Sequence, residues 1–241
     1  FEAAGNSDVD SISVTVDNSV IAPPPNPSDV APPIDPTVAT TMVAATEFLY
    51  TGANPVQTGV ADGTIDPVQV AVLRGKVMER DGTAISDVLI SIHKHAEFGQ
   101  TMTRADGMFD IAVNGGGHLT VNYRKAGYLP VQRQLDVPWQ DYAWLPDVVM
   151  IPLDSKVTEI DLNSAIPMQV ATGSPVTDVD GTRQAVLMVP QGTTATITLP
   201  NGTPQSIDTL SFRATEYTVG DNGPEAMPGE LPPTSGYTYA V

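Results

Sequence analysis

Two histidines, His93 and His95, have a spacing that could bind a metal ion. Residues two apart on a β-strand point to the same side, so both imidazoles could reach one ion, with His118 as a third ligand if its strand is adjacent. The chain has no cysteine and no HExxH motif, so nothing further supports a zinc site. The pattern therefore favours histidines on the solvated face of a strand over a metal centre.

The acidic run at residues 178–181 (DVDG) is similar to the start of a calcium-binding loop. An EF-hand loop needs further oxygen ligands and a bidentate glutamate at its twelfth position. The sequence has Thr182 and Val189 where those ligands are needed. Asp178 and Asp180 are therefore weak candidates for calcium ligands, and a simple turn is the favoured interpretation.

Several carboxylates lie close together in the middle of the chain, and paired carboxylates can hydrolyse glycosides. Because a β-sandwich sequence without an evident cleft surrounds them, solvated acids or loose cation binding are favoured over catalysis. No serine occupies a G-x-S-x-G elbow either. The sequence therefore predicts no catalytic residue, no cofactor and no enzyme. The carboxylates are Asp136, Asp141, Asp147, Asp154, Glu159 and Asp161.

Three aromatic residues, Trp139, Tyr142 and Trp144, form a group that could recognise a partner. Tyr142 and Trp144 share strand parity, so their rings would lie on one side of a strand. Flat rings can stack on sugars, which would make a carbohydrate platform. Packing in the core or between domains is the favoured alternative.

These candidates lie in or beside residues 73–153, where short alternating apolar runs are separated by glycine-bearing turns. This pattern predicts a small antiparallel β-sandwich. In one strand Phe109, Ile111 and Val113 would face the core, and Asp110 and Ala112 would face solvent. Turns are predicted at Asp81-Gly82, Asp106-Gly107 and residues 114–117. The predicted fold class is therefore all-β, a transthyretin-like or Ig-like sandwich.

The flanking regions divide the chain into four predicted parts. Residues 1–36 form an extended acidic, proline-rich arm. Residues 37–69 form a strap, which contains either a short helix capped by Thr37 or an extended run. The sandwich spans residues 70–154, and residues 155–241 form a second, smaller β domain. The arm contains one run that could add as a strand to a sheet edge, through residues on a single face: Ile12, Val14 and Val16.

Charge excludes two classes of partner. The net charge is −17, and no lysine or arginine precedes Arg74 or follows Arg213. A nucleic-acid binder needs a basic face, and an anionic membrane attracts basic residues, so both partners are disfavoured. No run approaches the roughly 20 apolar residues of a membrane-spanning helix, so no membrane insertion is expected.

The first unit resembles the carboxypeptidase regulatory-like family, a transthyretin-like sandwich. The matching residues are Gly75-Lys76-Val77, Asp81-Gly82, Ile85, Val88, Ile90, Thr103, Asp106-Gly107, Phe109, Ile111, Leu119, Val121 and Gly127-Tyr128. Longer strings resemble the region before the barrel of bacterial RHS (YD-repeat) proteins, which are related to teneurins. These strings lie at residues 48–52, 97–101, 114–117, 129–130, 138–142, 213–220 and 232–237.

The RHS resemblance implies a sandwich followed by a fibronectin-plug domain that closes a β-barrel shell, in a secreted or surface protein. The expected function is a non-catalytic structural module that acts as a plug, spacer or attachment domain. The expected partner is the rest of an RHS-type shell. No YD repeats follow Val241, so two alternatives stay open: a filament or adhesin subunit that joins copies of itself through residues 11–16, and a carbohydrate-binding accessory module.

Overall fold

The computed structural model describes residues 23–33, 35–178, 181–199, 201–216 and 223–229. The predicted donor strand with Ile12, Val14 and Val16, the weak calcium candidate Asp180, and the predicted last strand at residues 237–241 lie outside these residues.

The described residues are mostly β-strand, which confirms the all-β fold class. The helices are α1 (Pro27–Val30), α2 (Met42–Thr46) and α3 (Gly223–Ala226), with 3-10 turns at Glu47–Leu49 and Ala96–Phe98. The strands are β1 (Val70–Met78), β2 (Leu89–Ile92), β3 (Gln100–Met102), β4 (Met108–Asn114), β5 (Gly117–Arg124), β6 (Val131–Val137), β7 (Tyr142–Trp144), β8 (Val148–Val149), β9 (Thr158–Asp161), β10 (Met168–Thr172), β11 (Val176–Asp178), β12 (Gly181–Arg183), β13 (Val186–Pro190), β14 (Ala195–Thr198), β15 (Pro204–Ile207) and β16 (Thr209–Phe212).

Strands β1 to β8 form a sandwich of two sheets. One sheet has the order β4-β1-β7, with β8 also paired to β1, and the other has the order β3-β2-β5-β6. Strands β7 and β8 run parallel to β1, which differs from the expected all-antiparallel arrangement. Parallel neighbours require a crossover, and the chain supplies it because β2, β3, β5 and β6 in the other sheet lie between β1 and β7 in sequence.

The core between the sheets follows the predicted alternation. Phe109, Ile111 and Val113 are fully buried, and Ile111 lies opposite Leu73 in the β1–β4 register. Phe109 lies opposite Gly75, where a Cβ atom would come within 2.8 Å of the phenyl ring. Glycine at position 75 therefore makes room for the Phe109 ring in the core.

The outer face of β4 is covered, so the prediction that Asp110 and Ala112 face solvent was wrong. Both residues are buried, at 2% and 0% exposure. The strap supplies the cover: Leu49 and Val56 pack with Val72 of β1 in a separate apolar cluster. Alternation along β4 indicates which residues share a side, but it does not show that a distant segment folds over that side.

The strap begins with α2. Phe48, Leu49 and Tyr50 anchor it on the sandwich as predicted, but the helix cap is Thr41 rather than Thr37, because the Thr41 side chain accepts from the Ala44 backbone N–H. The prediction that the proline-rich arm is extended was also incomplete. Residues 27–30 form one helical turn, α1, which is capped by the Asn26 side chain.

The buried hydroxyl of Tyr123 has no hydrogen-bond partner among the residues that the structure describes. The Tyr123 ring lies in the sandwich core edge-on to Phe109, with 5.7 Å between ring centroids, and burial raises the pKa of its hydroxyl. A buried hydroxyl without a partner destabilises the folded state.

We therefore expect Tyr123→Phe to raise the free energy of unfolding by about 1 kcal/mol, because it removes the hydroxyl and keeps the ring. Urea denaturation of the two proteins measures this difference. Tyr50→Phe is the matched control, since Tyr50 is only half-buried and its substitution should leave stability nearly unchanged. A destabilised Tyr123→Phe variant would contradict this reading of the core.

Strands β9 to β16 form four two-stranded pairs: β9 with β16, β10 with β13, β11 with β12, and β14 with β15. Their small core contains Ile160, Ala171 and Val189. Strands β11 and β12 pair through Asp178 and Gly181, and β14 pairs with β15 through Thr198 and Pro204. The division of the chain into domains at residues 70 and 155 stays a prediction.

Two arginines connect the sandwich to later parts of the chain. Arg133 of β6 is buried and donates to the backbone carbonyls of Glu225 and Met227. The Gln132 backbone N–H donates to the Pro228 carbonyl. Arg80 donates to both the backbone carbonyl and the carboxylate of Glu216. Residues 225–228 therefore cover part of the free edge of β6, which protects it from pairing with other strands.

Candidate binding cleft

A cleft of about 560 Å³ opens over the outer face of β1 and β7. Its floor contains Arg74, Arg104, Asp110, Tyr142 and Trp144. The opposite wall comes from the proline-rich segment at residues 26–33, from Asp35, and from the strap at residues 40–48. No local sequence pattern predicts this cleft, because it forms between segments that lie far apart along the chain.

A buried carboxylate organises the floor of this cleft. The Arg74 Nε atom donates to Asp110 Oδ1 at 2.5 Å, and an Arg104 terminal nitrogen donates to Asp110 Oδ2 at 2.9 Å. The Asp110 side chain is 3% exposed, compared with 33% for Arg74 and 11% for Arg104. One aspartate thus holds two guanidinium groups in fixed positions, and Arg74 keeps a surface that faces the cleft.

The aromatic group is divided between two places. The Arg74 guanidinium carbon lies 4.6 Å from the centroid of the Tyr142 ring and 5.9 Å from that of Trp144, and both rings line the cleft. Trp139 lies elsewhere, with its indole over Gly116. Tyr142 and Trp144 share one side of β7, as predicted.

The rings do not pack in the core of the described residues, so that part of the favoured interpretation was wrong; packing against another domain stays a prediction. Trp139 is 56% exposed, Tyr142 is 40% exposed and Trp144 is 64% exposed. The strand that carries Tyr142 and Trp144 is the last of its sheet and presents both rings outward beside Arg74. Exposed rings remain available for contact with a partner.

The histidines do not converge on one point. β2 ends at Ile92, and Lys94 adopts a positive φ of 62°, so the predicted strand through His93 and His95 was wrong. His95 Nδ1 lies 2.9 Å from the Glu97 carboxylate, and His118 Nδ1 lies 2.9 Å from that of Asp136. Across the part of the chain that the structure describes, no three potential ligands group to hold a metal ion.

Two of the clustered carboxylates, Asp154 and Asp161, accept hydrogen bonds from neighbouring loop residues. Asp154 accepts from the backbone N–H and the hydroxyl of Ser174, and Asp161 accepts from the Asn163 backbone N–H in a turn. Asp178 ends β11 and lies opposite Gly181 of β12. These arrangements suit loops and hairpins rather than a catalytic pair.

One tyrosine–carboxylate pair closes an end of the sandwich. The Tyr128 hydroxyl donates to Glu79 Oε1 at 2.5 Å. This hydrogen bond to the Glu79 carboxylate, together with burial, raises the pKa of Tyr128 to about 12. Tyr128 also forms an antiparallel β-bridge to Pro152.

This pair predicts a pH dependence. Because the pKa of Tyr128 is higher in the folded state than its ordinary value of 10, the hydrogen bond stabilises the fold fully below pH 10, and this contribution is lost as the pH rises towards 12. We expect wild-type protein to lose more stability than Tyr128→Phe over this range in chemical denaturation. Equal losses would show that the pair does not stabilise the fold.

The sandwich defined by β1 to β8 is a transthyretin-like fold. Residues 65–150 match the family model of the Teneurin TTR-like domain. Teneurin-3 of Danio rerio is 36% identical over 106 residues, which cover 43% of this chain and 4% of that protein. Teneurin-4 of Mus musculus is 32% identical over 117 residues, covering 48% of this chain and 4% of that protein.

These matches confirm the teneurin-like, transthyretin-like part of the resemblance seen in the sequence. The chain spans about 4% of the length of these curated relatives. Among solved structures, a streptococcal ancillary pilin aligns with a TM-score of 0.31 and 12% identity over 64% of this chain and 60% of that chain. That score is too low to indicate a common fold. The fibronectin-plug and bacterial RHS parts of the resemblance stay predictions.

Proposed function

We propose that the chain is a non-catalytic structural module of an extracellular or cell-surface protein. In this proposal the sandwich is a rigid scaffold, and the second set of strands attaches it to the rest of the same protein, as a plug does in an RHS-type shell. The teneurin relatives support an extracellular location. In the residues that the structure describes, no helix has the length and apolar character needed to cross a membrane.

One observation carries the proposal: the β10–β13 ribbon has an exposed apolar face. Met168 and Val170 of β10 and Val186 and Met188 of β13 make up this apolar ribbon face, with exposures of 46%, 51%, 55% and 63%. Val170 lies directly opposite Met188. The other face of the ribbon is buried through Ala171 and Val189. A contiguous exposed apolar surface is typical of a protein interaction site.

The occupant that we propose for this face is the remaining polypeptide of the same protein. The teneurin relatives are far longer than the matched region, so proteins with this sandwich carry large regions that could cover such a face. An apolar surface suits a permanent attachment within one chain, because obligate contacts are more apolar than transient ones.

The test introduces a charge into the apolar ribbon face of the full-length native protein. Met188→Glu should open the attachment and speed proteolytic release of the module, because a carboxylate cannot be buried against an apolar surface without a partner. Val68→Glu is the matched control, since Val68 is 58% exposed and lies outside the ribbon. Equal release from both variants would refute the attachment.

A second candidate function is self-assembly through strand addition. Among the described residues, each strand of the four pairs β9 to β16 has one edge without a strand partner, and unpaired edges are templates for another chain. In this candidate the run at residues 11–16, with Ile12, Val14 and Val16, adds to such an edge of the next copy.

Electron microscopy of the purified chain distinguishes the two candidates. Self-assembly predicts polymers that disappear when residues 1–36 are deleted. The attachment proposal predicts monomeric particles with or without those residues. Polymers that persist in the deletion variant would exclude strand addition by this arm.

A further inference from the structure

The charges of the cleft nearly cancel. On the floor, Arg74 and Arg104 lie with Asp110 and Asp106, and the Arg104 Nε atom is 3.8 Å from Asp106 Oδ1. Asp35 lies on the opposite wall. In a chain of net charge −17, this balanced set gives no strong field for either a cation or an anion. The cleft therefore suits an uncharged ligand with many hydrogen-bonding groups.

The aromatic rings exclude one kind of uncharged ligand. Proline-rich peptides bind in slots between aromatic rings, and here the Arg74 guanidinium lies over both Tyr142 and Trp144, at 4.6 Å and 5.9 Å from their centroids. The space that a proline ring would need beside these residues is thus taken. Trp144 keeps 64% of its surface exposed and can accept a flat ligand on its open side.

We propose that this cleft binds a neutral oligosaccharide. Trp144 stacks against one sugar ring, and the Arg74 guanidinium, held by Asp110, donates from its remaining N–H groups to sugar hydroxyls. Asp106, whose side chain is 53% exposed, accepts from other hydroxyls. The volume of about 560 Å³ is within the range of small-ligand sites, about 300 to 1,000 Å³.

The site is separate from the apolar ribbon face, and the proposal does not depend on the attachment function. The floor of the cleft is formed by residues of β1, β4 and β7, together with the turn before β4. Its wall includes the proline-rich segment at residues 26–33, so the full chain must be used to test it.

The chain has two tryptophans, which allows a direct test by fluorescence. Trp139→Phe leaves Trp144 as the only tryptophan, and Trp144→Phe leaves only Trp139, which lies outside the cleft. Each variant is titrated with cellotriose, maltotriose and chitotriose up to about 10 mM, above the millimolar Kd expected of a shallow site. We expect saturable fluorescence changes in the Trp139→Phe variant and none in the Trp144→Phe variant.

A second substitution tests the role assigned to Arg74. Arg74→Lys in the Trp139→Phe background keeps the charge but removes the forked donor, and should weaken saccharide binding about tenfold. Circular dichroism verifies that each variant is folded. The proposal is overturned if no saccharide changes the Trp144 fluorescence, if both single-tryptophan variants respond equally, or if a synthetic peptide of residues 23–33 binds in the cleft while the saccharides do not.

Discussion

Substitution of Gln57 by leucine should lower the free energy of unfolding by about 3 to 6 kcal/mol. The Gln57 side chain is fully buried and lies against the edge of β4. Its amide nitrogen donates to the carbonyls of Phe98 and Ala112, at 2.6 Å and 2.9 Å, and its oxygen accepts from the Ala112 N–H at 2.7 Å. Leucine has a similar volume but leaves three buried backbone groups without this partner, at about 1 to 2 kcal/mol each, in the lower part of the usual range for such groups.

Gln191→Leu is the matched control, because Gln191 is exposed. Its effect should stay within about 0.5 kcal/mol. Chemical denaturation of the three proteins gives the comparison. The strap forms part of the cleft wall, so the Gln57 variant should also bind less of any ligand that the cleft holds. A loss below about 1 kcal/mol would show that the Gln57 amide is not what secures the strap.

Asp110→Ala should lower the free energy of unfolding by about 3 to 5 kcal/mol. It removes the carboxylate that accepts from Arg74 and Arg104 and leaves the Arg104 side chain, which is 11% exposed, as a nearly buried charge. The fixed position of Arg74 in the cleft would be lost in the same variant.

Asp106→Ala is the matched control for this prediction. Asp106 lies 3.8 Å from the same arginine, but its side chain is 53% exposed, so its removal should change stability by less than about 1 kcal/mol. The double variant Asp110→Leu with Arg104→Met should recover much of the loss, because it removes the unpaired charge together with its partner. Equal losses for Asp106→Ala and Asp110→Ala would contradict the role given to burial.

The fold could be predicted because its signals are local. Alternation along β4 placed Phe109, Ile111 and Val113 in the core, and Asp-Gly pairs marked turns. The pairing of Gln57 with Ala112 and of Arg74 with Asp110 could not be predicted, since these residues lie 55 and 36 positions apart. Each pair needs the register of distant segments, which no local pattern contains.

The cleft was missed for the same reason. Parity correctly placed Tyr142 and Trp144 on one side of a strand, but it could not show that this strand ends a sheet or that Arg74 lies between the rings. A signal was present in Arg74 and Asp110, two charged residues inside otherwise apolar runs. A charge in such a run is costly to bury unless it has a partner, so each could have been read as one half of an ion pair.

Hydrogen–deuterium exchange of the apolar ribbon face tests the central claim most directly. The backbone amides of β10 and β13 are compared in the isolated chain and in the full-length native protein, with β1 and β4 of the sandwich as the internal reference. We expect slower exchange in Met168–Thr172 and Val186–Pro190 of the full-length protein and unchanged exchange in the sandwich. Identical exchange of the ribbon in both proteins would contradict it.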